Sequence, residues 1–363
     1  MASLTEASIL SRKAIRYSIY AIILIVIARF TFNAGVTIYK RIFPPPPPEP
    51  TVTFGKLPKL PFPIKPVPED LNFDLETAEG KLPELTTQAE IYLMPPIQPN
   101  IKALDDAKIK ADALEFSANG KPIVEGVPNV YIFPKRNNIP SNLTINIITG
   151  VFSINYDLTQ DRILAEGVPP APEPAANQIR SLLSGADLLP SDLAEGRTTH
   201  NFFKAEGNKF IPVVSLSESN LIQIHFFRKN YGPDEGFPSV TPNYPVANVW
   251  FTIGNVGTKK LVAGEYNYFP VDSSNSGTYP LRTSDQAWED LKNGKGYIAN
   301  LGDNASGNIT VRRVYLAYYD AGQYTEFFQP VVVFEGDNNF IAYAPAVTEE
   351  YYGSEDSQEE NSN

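Results

Sequence analysis

The sequence predicts an α+β protein with a single N-terminal transmembrane helix, a proline-rich linker, and subdomains that each combine a helix with an antiparallel sheet. Three observations lead to this fold class. One apolar span lies near the start, a run of prolines follows it, and the remainder alternates amphipathic segments with β-branched and aromatic runs. The chain has 12% aromatic and 20% charged residues, a composition typical of folded domains.

The apolar span covers residues 17–39. As a helix rising about 1.5 Å per residue, it reaches roughly 35 Å, which exceeds a hydrocarbon core of about 30 Å. Arg29 lies near its middle, where a cation costs about 2.5–3.5 kcal/mol on insertion scales. The surrounding aliphatic residues offset this cost, so we expect insertion. Arg29 then either extends toward the interface or contacts an acidic group on a partner helix, which makes it a candidate for contact with a membrane partner.

The flanking residues predict an uncleaved anchor. The sequence after Ala28 lacks the small-x-small pattern of a signal-peptide cleavage site. Arg12, Lys13 and Arg16 precede the span and two basic residues follow it, while the large acidic part of the chain lies on the C-terminal side. We therefore expect residues 1–16 in the cytoplasm and the C-terminal module outside a bacterial cell membrane.

The composition excludes several classes of function. The chain has no cysteine, which excludes disulfides, thiolate metal sites and cysteine nucleophiles, and favours a bacterial surface protein over a eukaryotic secreted one. A net charge of −11 disfavours binding to nucleic acid, because such binding needs a basic face. Part of this charge belongs to residues 348–363, which have the composition of a disordered acidic tail.

Prolines dominate residues 40–69, between the span and the folded part of the chain. Proline fixes φ and favours the polyproline II conformation, so this segment is predicted to be a semi-rigid spacer. Proline-rich tracts also serve as ligands for aromatic grooves, but next to a transmembrane span the spacer interpretation is stronger.

Beyond the spacer, a helix followed by several strands recurs three times. The first subdomain is predicted at 70–168 and the second at 175–347, with a proline-rich linker at 169–174. Helices are expected near 101–114, 175–183 and 283–292, each followed by three or four strands. Thr283 and Gln286 have capping-box spacing at the start of the third helix, and 335–339 is predicted to be a hairpin turn.

Two segments resemble a known family. Residues 279–298 read YPLRTSDQAWEDLKNGKGYI, and VYLAYY at 314–319 and FQPVVVF at 328–334 follow them. This part resembles the C-terminal region of YycH/YycI-type regulatory proteins, and LTINIITGVF at 143–152 resembles the PepSY-like unit that those proteins contain. The resemblance implies a membrane-anchored extracytoplasmic regulator of a cell-wall sensor kinase in Gram-positive bacteria. It implies no catalytic residues.

The residue patterns predict no catalytic, cofactor-binding or metal site. His200 and His225 are the only histidines, and neither lies in a recognisable nucleophile motif. The alternation of strand 221–227 predicts that His225 is exposed to solvent or hydrogen-bonded. Zinc would have two histidines and no cysteine as ligands, and the Asp-Asn pairs are more typical of turns than of calcium loops. A pair of carboxylates suited to glycoside chemistry depends on tertiary structure and is left open.

The aromatic residues offer the best candidates for binding. Most are expected in the core, but the Pro- and Gly-rich loop 230–245 carries Tyr231, Phe237 and Tyr244. We predict that these three side chains contribute to a surface that binds a peptide, a glycan or a partner domain.

Three functions remain open from the sequence. The leading hypothesis is a non-enzymatic module that regulates or scaffolds cell-envelope machinery or a sensor kinase through contacts with a membrane or envelope protein. The alternative is an adhesion or structural protein held away from the membrane by the proline spacer. An enzyme that acts on cell-wall polysaccharide is the third.

Overall fold

The computed structural model describes residues 4–42, 48–68, 71–123, 129–136, 140–157, 167–207, 209–233, 236–255, 261–304 and 307–354. Prolines 44–47 of the predicted spacer, residues 234–235 of the predicted binding loop and residues 355–363 of the predicted acidic tail lie outside these ranges. The chain divides into two compact units, residues 1–49 and residues 50–363.

The described elements make a mixed α+β protein that is mostly sheet. The helices are α1 (Leu4–Ile42), α2 (Ala103–Ala113), α3 (Pro172–Gly185), α4 (Ser191–Ala194) and α5 (Ser284–Lys292). The strands are β1 (Leu57–Pro58), β2 (Asn72–Leu75), β3 (Gln88–Leu93), β4 (Lys121–Pro122), β5 (Val130–Pro134), β6 (Ser141–Asn146), β7 (Phe152–Tyr156), β8 (Thr198–Glu206), β9 (Lys209–Val213), β10 (Leu221–Phe226), β11 (Ser239–Val240), β12 (Val249–Gly254), β13 (Leu261–Tyr266), β14 (Asp272–Pro280), β15 (Tyr297–Asn300), β16 (Asn308–Tyr319), β17 (Phe327–Phe328), β18 (Pro330–Gly336), β19 (Ile341–Pro345) and β20 (Tyr352–Ser354).

The first unit contains α1, which is longer than the predicted span 17–39. Its segment Ser11–Tyr39 has a mean hydropathy of 2.0 and, by length and composition, fits a membrane anchor or a signal sequence. The hydroxyls of Ser18, Thr31 and Thr37 each donate a hydrogen bond to the carbonyl four residues earlier. These polar groups are therefore satisfied within the helix, as an apolar environment requires.

The second unit begins earlier than the sequence predicts, because residues 50–68 pack against it. The amide of Phe54 donates to the hydroxyl of Tyr279 at 2.8 Å, and β1 pairs in parallel with β20. Leu57 is fully buried, and Lys65 Nζ donates to two backbone carbonyls. The prediction that 40–69 is a semi-rigid spacer is therefore wrong for residues 50–68. Burial of the apolar side chains in this segment lowers the free energy, and this favours packing against the globular unit over an extended chain exposed to solvent.

A nine-stranded antiparallel sheet forms the first layer of this unit. Its strand order is β4-β5-β6-β7-β13-β12-β10-β8-β9. Strands β4–β7 come from the predicted first subdomain and the other five from the second, and β7 pairs directly with β13. One sheet therefore continues across the linker that was predicted to separate two subdomains.

Helices α2 and α3 pack on this sheet. The helix α2 buries Ala103, Ala107 and Ala111, which are spaced four residues apart and so share one face. The helix α3 contributes an apolar face that includes Ile179 and Leu183 to the same core, which contains inward-facing residues of β6, β7, β10 and β12. The repeated helix-and-strand pattern in the sequence thus corresponds to two helices that share one sheet.

The second layer consists of smaller sheets with α5 packed against the larger of them. Strands β11, β16, β18, β19 and β15 lie in that order, and β2 also pairs with β16. A three-stranded sheet has the order β14-β3-β17. The helix α5 is capped by Thr283 and Gln286, which make the predicted capping box. The turn after β18 contains Asn338 in the left-handed region, with φ 56°.

A buried arginine joins the two layers. Arg228 lies two residues after the end of β10 of the nine-stranded sheet, and its side chain is 0% exposed. Its guanidinium donates to Asp192 on α4 at 2.6 Å, to Asp320 after β16 at 2.8 Å and to the carbonyl of Phe269 at 2.7 Å. Burial disfavours the charged form, but the carboxylates of Asp320 and Asp192 raise the pKa of Arg228 well above its ordinary value.

We expect Arg228→Met to lower the free energy of unfolding by about 3–5 kcal/mol, because it leaves two buried carboxylates without their cation. Urea denaturation of the full-length chain in nonionic detergent, followed by circular dichroism, measures this loss. Arg312→Met is the matched control, since Arg312 pairs with Asp337 and Glu76 on the surface, and its loss should be much smaller. Equal losses for the two variants would show that the buried ion pairs do not hold the layers together.

Candidate partner-binding groove

A groove with a volume of about 510 Å³ lies beside β16. Its lining combines three aromatic rings, two arginines, two glutamates and five further residues: Glu84, Leu85, Thr86, Arg197, Phe237, Pro238, Tyr244, Arg313, Val314, Tyr315, Leu316 and Glu335. Two smaller cavities, of about 460 and 390 Å³, lie beside α5 and α2. Of these three cavities, the groove beside β16 contains described residues of the predicted binding loop.

Arg197 forms one wall of the groove, and its guanidinium lies over two aromatic rings. Its Cζ lies 4.2 Å from the ring centroid of Phe227 and 5.6 Å from that of Tyr244, and its Nη2 donates to the hydroxyl of Tyr244 at 3.3 Å. Such stacking is a favourable cation–π geometry. It orders the guanidinium while leaving Arg197 exposed to solvent.

Gly196 allows this close approach. A Cβ at this position would lie 1.8 Å from the backbone oxygen of Phe227 and 2.9 Å from that of Asp192. Any other residue would push the segment after α4 away from the end of β10. The glycine therefore lets Arg197 lie over the Phe227 ring.

A second wall comes from the outward side of β16 and β18. The hydroxyl of Tyr315 donates to Glu335 at 2.5 Å, and Arg313 donates to the other carboxylate oxygen of Glu335 at 2.9 Å. Burial, reinforced by the hydrogen bond to Glu335, raises the pKa of Tyr315 above its ordinary value. Tyr315 is therefore a neutral hydrogen-bonding group at physiological pH and not a base.

The structure brings together two of the three aromatic residues of the predicted binding loop. Phe237 and Tyr244 are partly exposed and line the groove. Tyr231 is 6% exposed, so the prediction that it contributes to a binding surface is wrong. Its hydroxyl donates to Asp192 at 3.0 Å and its ring lies 5.1 Å from that of Phe328, so Tyr231 belongs to the interior between the layers.

Sequence reasoning did not identify Arg197, Arg313, Tyr315 or Glu335 as groove residues. The alternation of side chains along a strand at 309–319 places Arg313 and Tyr315 on the same face, so the sequence could have predicted that these two side chains are neighbours. Arg197 carried no local signal, because its ring partners come from other parts of the chain. Arg29 lies in α1, which belongs to the other unit, so the groove has no bearing on its predicted role.

The two histidines do not form a reactive site. His225 is 1% exposed, its Nδ1 accepts the Ala247 amide at 3.3 Å, and its Nε2 lies 3.1 Å from the side-chain nitrogen of Asn201. Of the two predicted alternatives, hydrogen bonding is the observed one. Burial, with a smaller contribution from the charge of His200, lowers the pKa of His225 to about 4. Within the described residues, no three His, Asp or Glu side chains are grouped to hold a metal ion.

Comparisons with known proteins give little guidance. Neither a protein-family model nor a curated protein matches the chain. Among solved structures, it is similar to an uncharacterised protein from Eubacterium rectale ATCC 33656, with 14% identity and a TM-score of 0.39 over 78% of this chain and 90% of that chain. This similarity is too low to carry an argument about function, and the resemblance to YycH/YycI-type proteins stays a prediction.

We expect stability to fall as the pH drops from 7 to 5, because His225 has a folded pKa of about 4 and an unfolded pKa of about 6.5. In this window the unfolded chain binds the proton and the folded chain does not, which costs about 2 kcal/mol. His225→Asn should flatten the dependence, and His200→Asn is the control. Urea denaturation at both pH values measures the difference. The same pH dependence in wild type and His225→Asn would show that His225 does not remain neutral in the fold.

Proposed function

We propose that this chain is a single-pass membrane protein with a non-enzymatic interaction module outside a bacterial cell membrane. In this proposal the N-terminus is cytoplasmic, and the module regulates or scaffolds envelope machinery or a sensor kinase. The groove beside β16 is the site that contacts the protein partner.

The observation that carries the proposal is the chemistry of the groove. Tyr244, Tyr315, Arg197 and Arg313 surround a concave surface, and tyrosine and arginine are the residue types that most often dominate the energetics of protein interfaces. Arg197 is ordered by stacking, and Arg313 and Tyr315 by Glu335. Preorganised side chains lose less entropy on binding, which favours recognition of a partner.

The anchor is supported by the composition of α1. Its span is apolar over Ser11–Tyr39 and carries basic residues near its start. In addition, the hydroxyls of Ser18, Thr31 and Thr37 are hydrogen-bonded within the helix. These features suit a lipid environment.

Cell fractionation and external protease test the anchor and its orientation together. We expect the full-length chain in the membrane fraction of a bacterial host, and we expect protease added to spheroplasts to degrade the module. A variant without residues 11–39 is the control, and it should be recovered in the soluble fraction. Recovery of the intact full-length chain in the cytosol, or protection of the module in spheroplasts with permeable outer layers, would contradict the proposal.

Photo-crosslinking tests the groove in the cells that naturally express the protein. A photoreactive amino acid at Tyr244 should crosslink to a membrane or envelope protein, and Arg197→Glu in the same chain should reduce the yield about tenfold, as expected for a central interface residue. The matched control places the photoreactive residue at Tyr324, an exposed tyrosine that does not line the groove. Equal crosslinking from both positions, or a yield that Arg197→Glu leaves unchanged, would refute a partner in the groove.

A further inference from the structure

The groove coincides with an interruption in the pairing of a sheet edge. The twelve-residue strand β16 pairs with β18 along one side. On the other side β2 pairs as far as Val311, and β11 begins to pair at Tyr318. Among the described residues, no strand pairs with residues 312–317 on this second side. This open edge is where Arg313, Val314, Tyr315 and Leu316 line the groove.

The hydrogen-bond register shows which backbone groups face the open edge. The amide of Tyr319 donates to Gln329, and Ala317 and Tyr315 lie opposite Val331 and Val333 of β18. In an antiparallel pair, the backbone groups of alternate residues point toward the partner strand and those between them point away. The backbone N–H and C=O groups of residues 315, 317 and 319 therefore point toward β18. Those of residues 314, 316 and 318 point to the opposite side.

Tyr318 confirms this alternation, because its amide donates to the carbonyl of Pro238 at 2.8 Å on the second side. The N–H and C=O groups of Val314 and Leu316 therefore point to this second side, where both residues line the groove. No backbone hydrogen bond from the described part of the chain reaches them there. Such groups are obligatory donors and acceptors, and an incoming strand can bind them.

The interruption has the length of a short strand. At about 3.3 Å per residue, the distance along β16 from Val311 to Tyr318 is roughly 23 Å, which accommodates an extended segment of about five residues. The strands β2 and β11 lie at the two ends of this unpaired stretch of β16. An extended segment bound between them would therefore continue the sheet.

We propose that an extended segment of the partner protein binds as an added β-strand at this open edge of β16. The inference rests on the proposed function and specifies how the groove recognises its partner. The backbone of the segment exchanges hydrogen bonds with Val314 and Leu316, while its side chains on one face contact Tyr315, Phe237 and Tyr244. Backbone pairing supplies affinity, and the side-chain contacts supply specificity.

The guanidinium of Arg197 indicates one feature of the segment. Within the described residues, no carboxylate lies within 4 Å of the Arg197 guanidinium, whereas Arg313 is paired with Glu335. Arg197 is also held in place by its contacts with Phe227 and Tyr244. An acidic side chain in the segment would complete this site with a charge-assisted hydrogen bond.

Phage-displayed random heptapeptides, selected on the full-length chain in nonionic detergent, provide the probe. We expect selected peptides with an acidic residue, and we expect a synthetic copy to bind in fluorescence anisotropy. N-methylation of the peptide amides that face β16 should weaken binding at least about tenfold, whereas methylation of the amides between them should have little effect, because only alternate amides pair. Arg197→Glu should weaken binding similarly, with Arg136→Glu as a control outside the groove.

The outcomes separate this inference from the proposed function. Peptides that require Arg197 and Tyr244 but respond equally to methylation at every position would leave the groove as a partner site and overturn strand addition. Failure to select any peptide that depends on Arg197, together with loss of the crosslink from Tyr244, would overturn both. A full-length chain that is dimeric in detergent and becomes monomeric on Arg197→Glu would assign the open edge to a second copy and overturn the partner segment.

Discussion

The fold of the globular unit depends on one buried guanidinium with two carboxylates. Arg228 follows a strand of the nine-stranded sheet, and its partners Asp192 and Asp320 belong to α4 and to the end of β16. Tyr231 and Tyr268 donate their hydroxyls to Asp192, which disperses the excess negative charge of the triad. The main effect of the cluster is to fix the position of one layer on the other. Its net contribution to the free energy of folding is small, because desolvation offsets much of the attraction between buried charges.

The same cluster positions the groove. Asp192 holds the short helix α4, and Arg197 lies just beyond that helix. Tyr231, anchored on Asp192, begins the loop that carries Phe237 and Tyr244, while Asp320 fixes the end of β16, whose middle forms the opposite wall. The groove is therefore assembled from segments that share one buried network, although none of its lining residues belongs to that network. A site supported in this way can be rigid even though much of it lies on loops.

The sequence predicted features that depend on neighbouring residues and missed those that depend on distant ones. The capping box of α5 and the hairpin turn between β18 and β19 are local, and the structure contains both. Arg228 has its carboxylates 36 and 92 positions away, so no window on the sequence connects them. The many prolines of 50–68 led to the prediction of a spacer, although Leu57 and its apolar neighbours are buried there. The surface on which they pack comes from distant parts of the chain, so the local sequence does not indicate it. A bulge between Val311 and Arg313 shifts which residues face the open edge, and alternation does not reveal this shift.

The pairing of β1 with β20 has a mechanical consequence. The segment that enters the globular unit is held by Thr51 and Phe54 on β14 and by the parallel contact near Leu57. Tension applied to the chain from its N-terminal side reaches these few hydrogen bonds before it reaches either large sheet. Detachment of this segment would lengthen the chain by several nanometres while the ion-paired interior stays folded. The entry segment can therefore protect the rest of the unit from mechanical load.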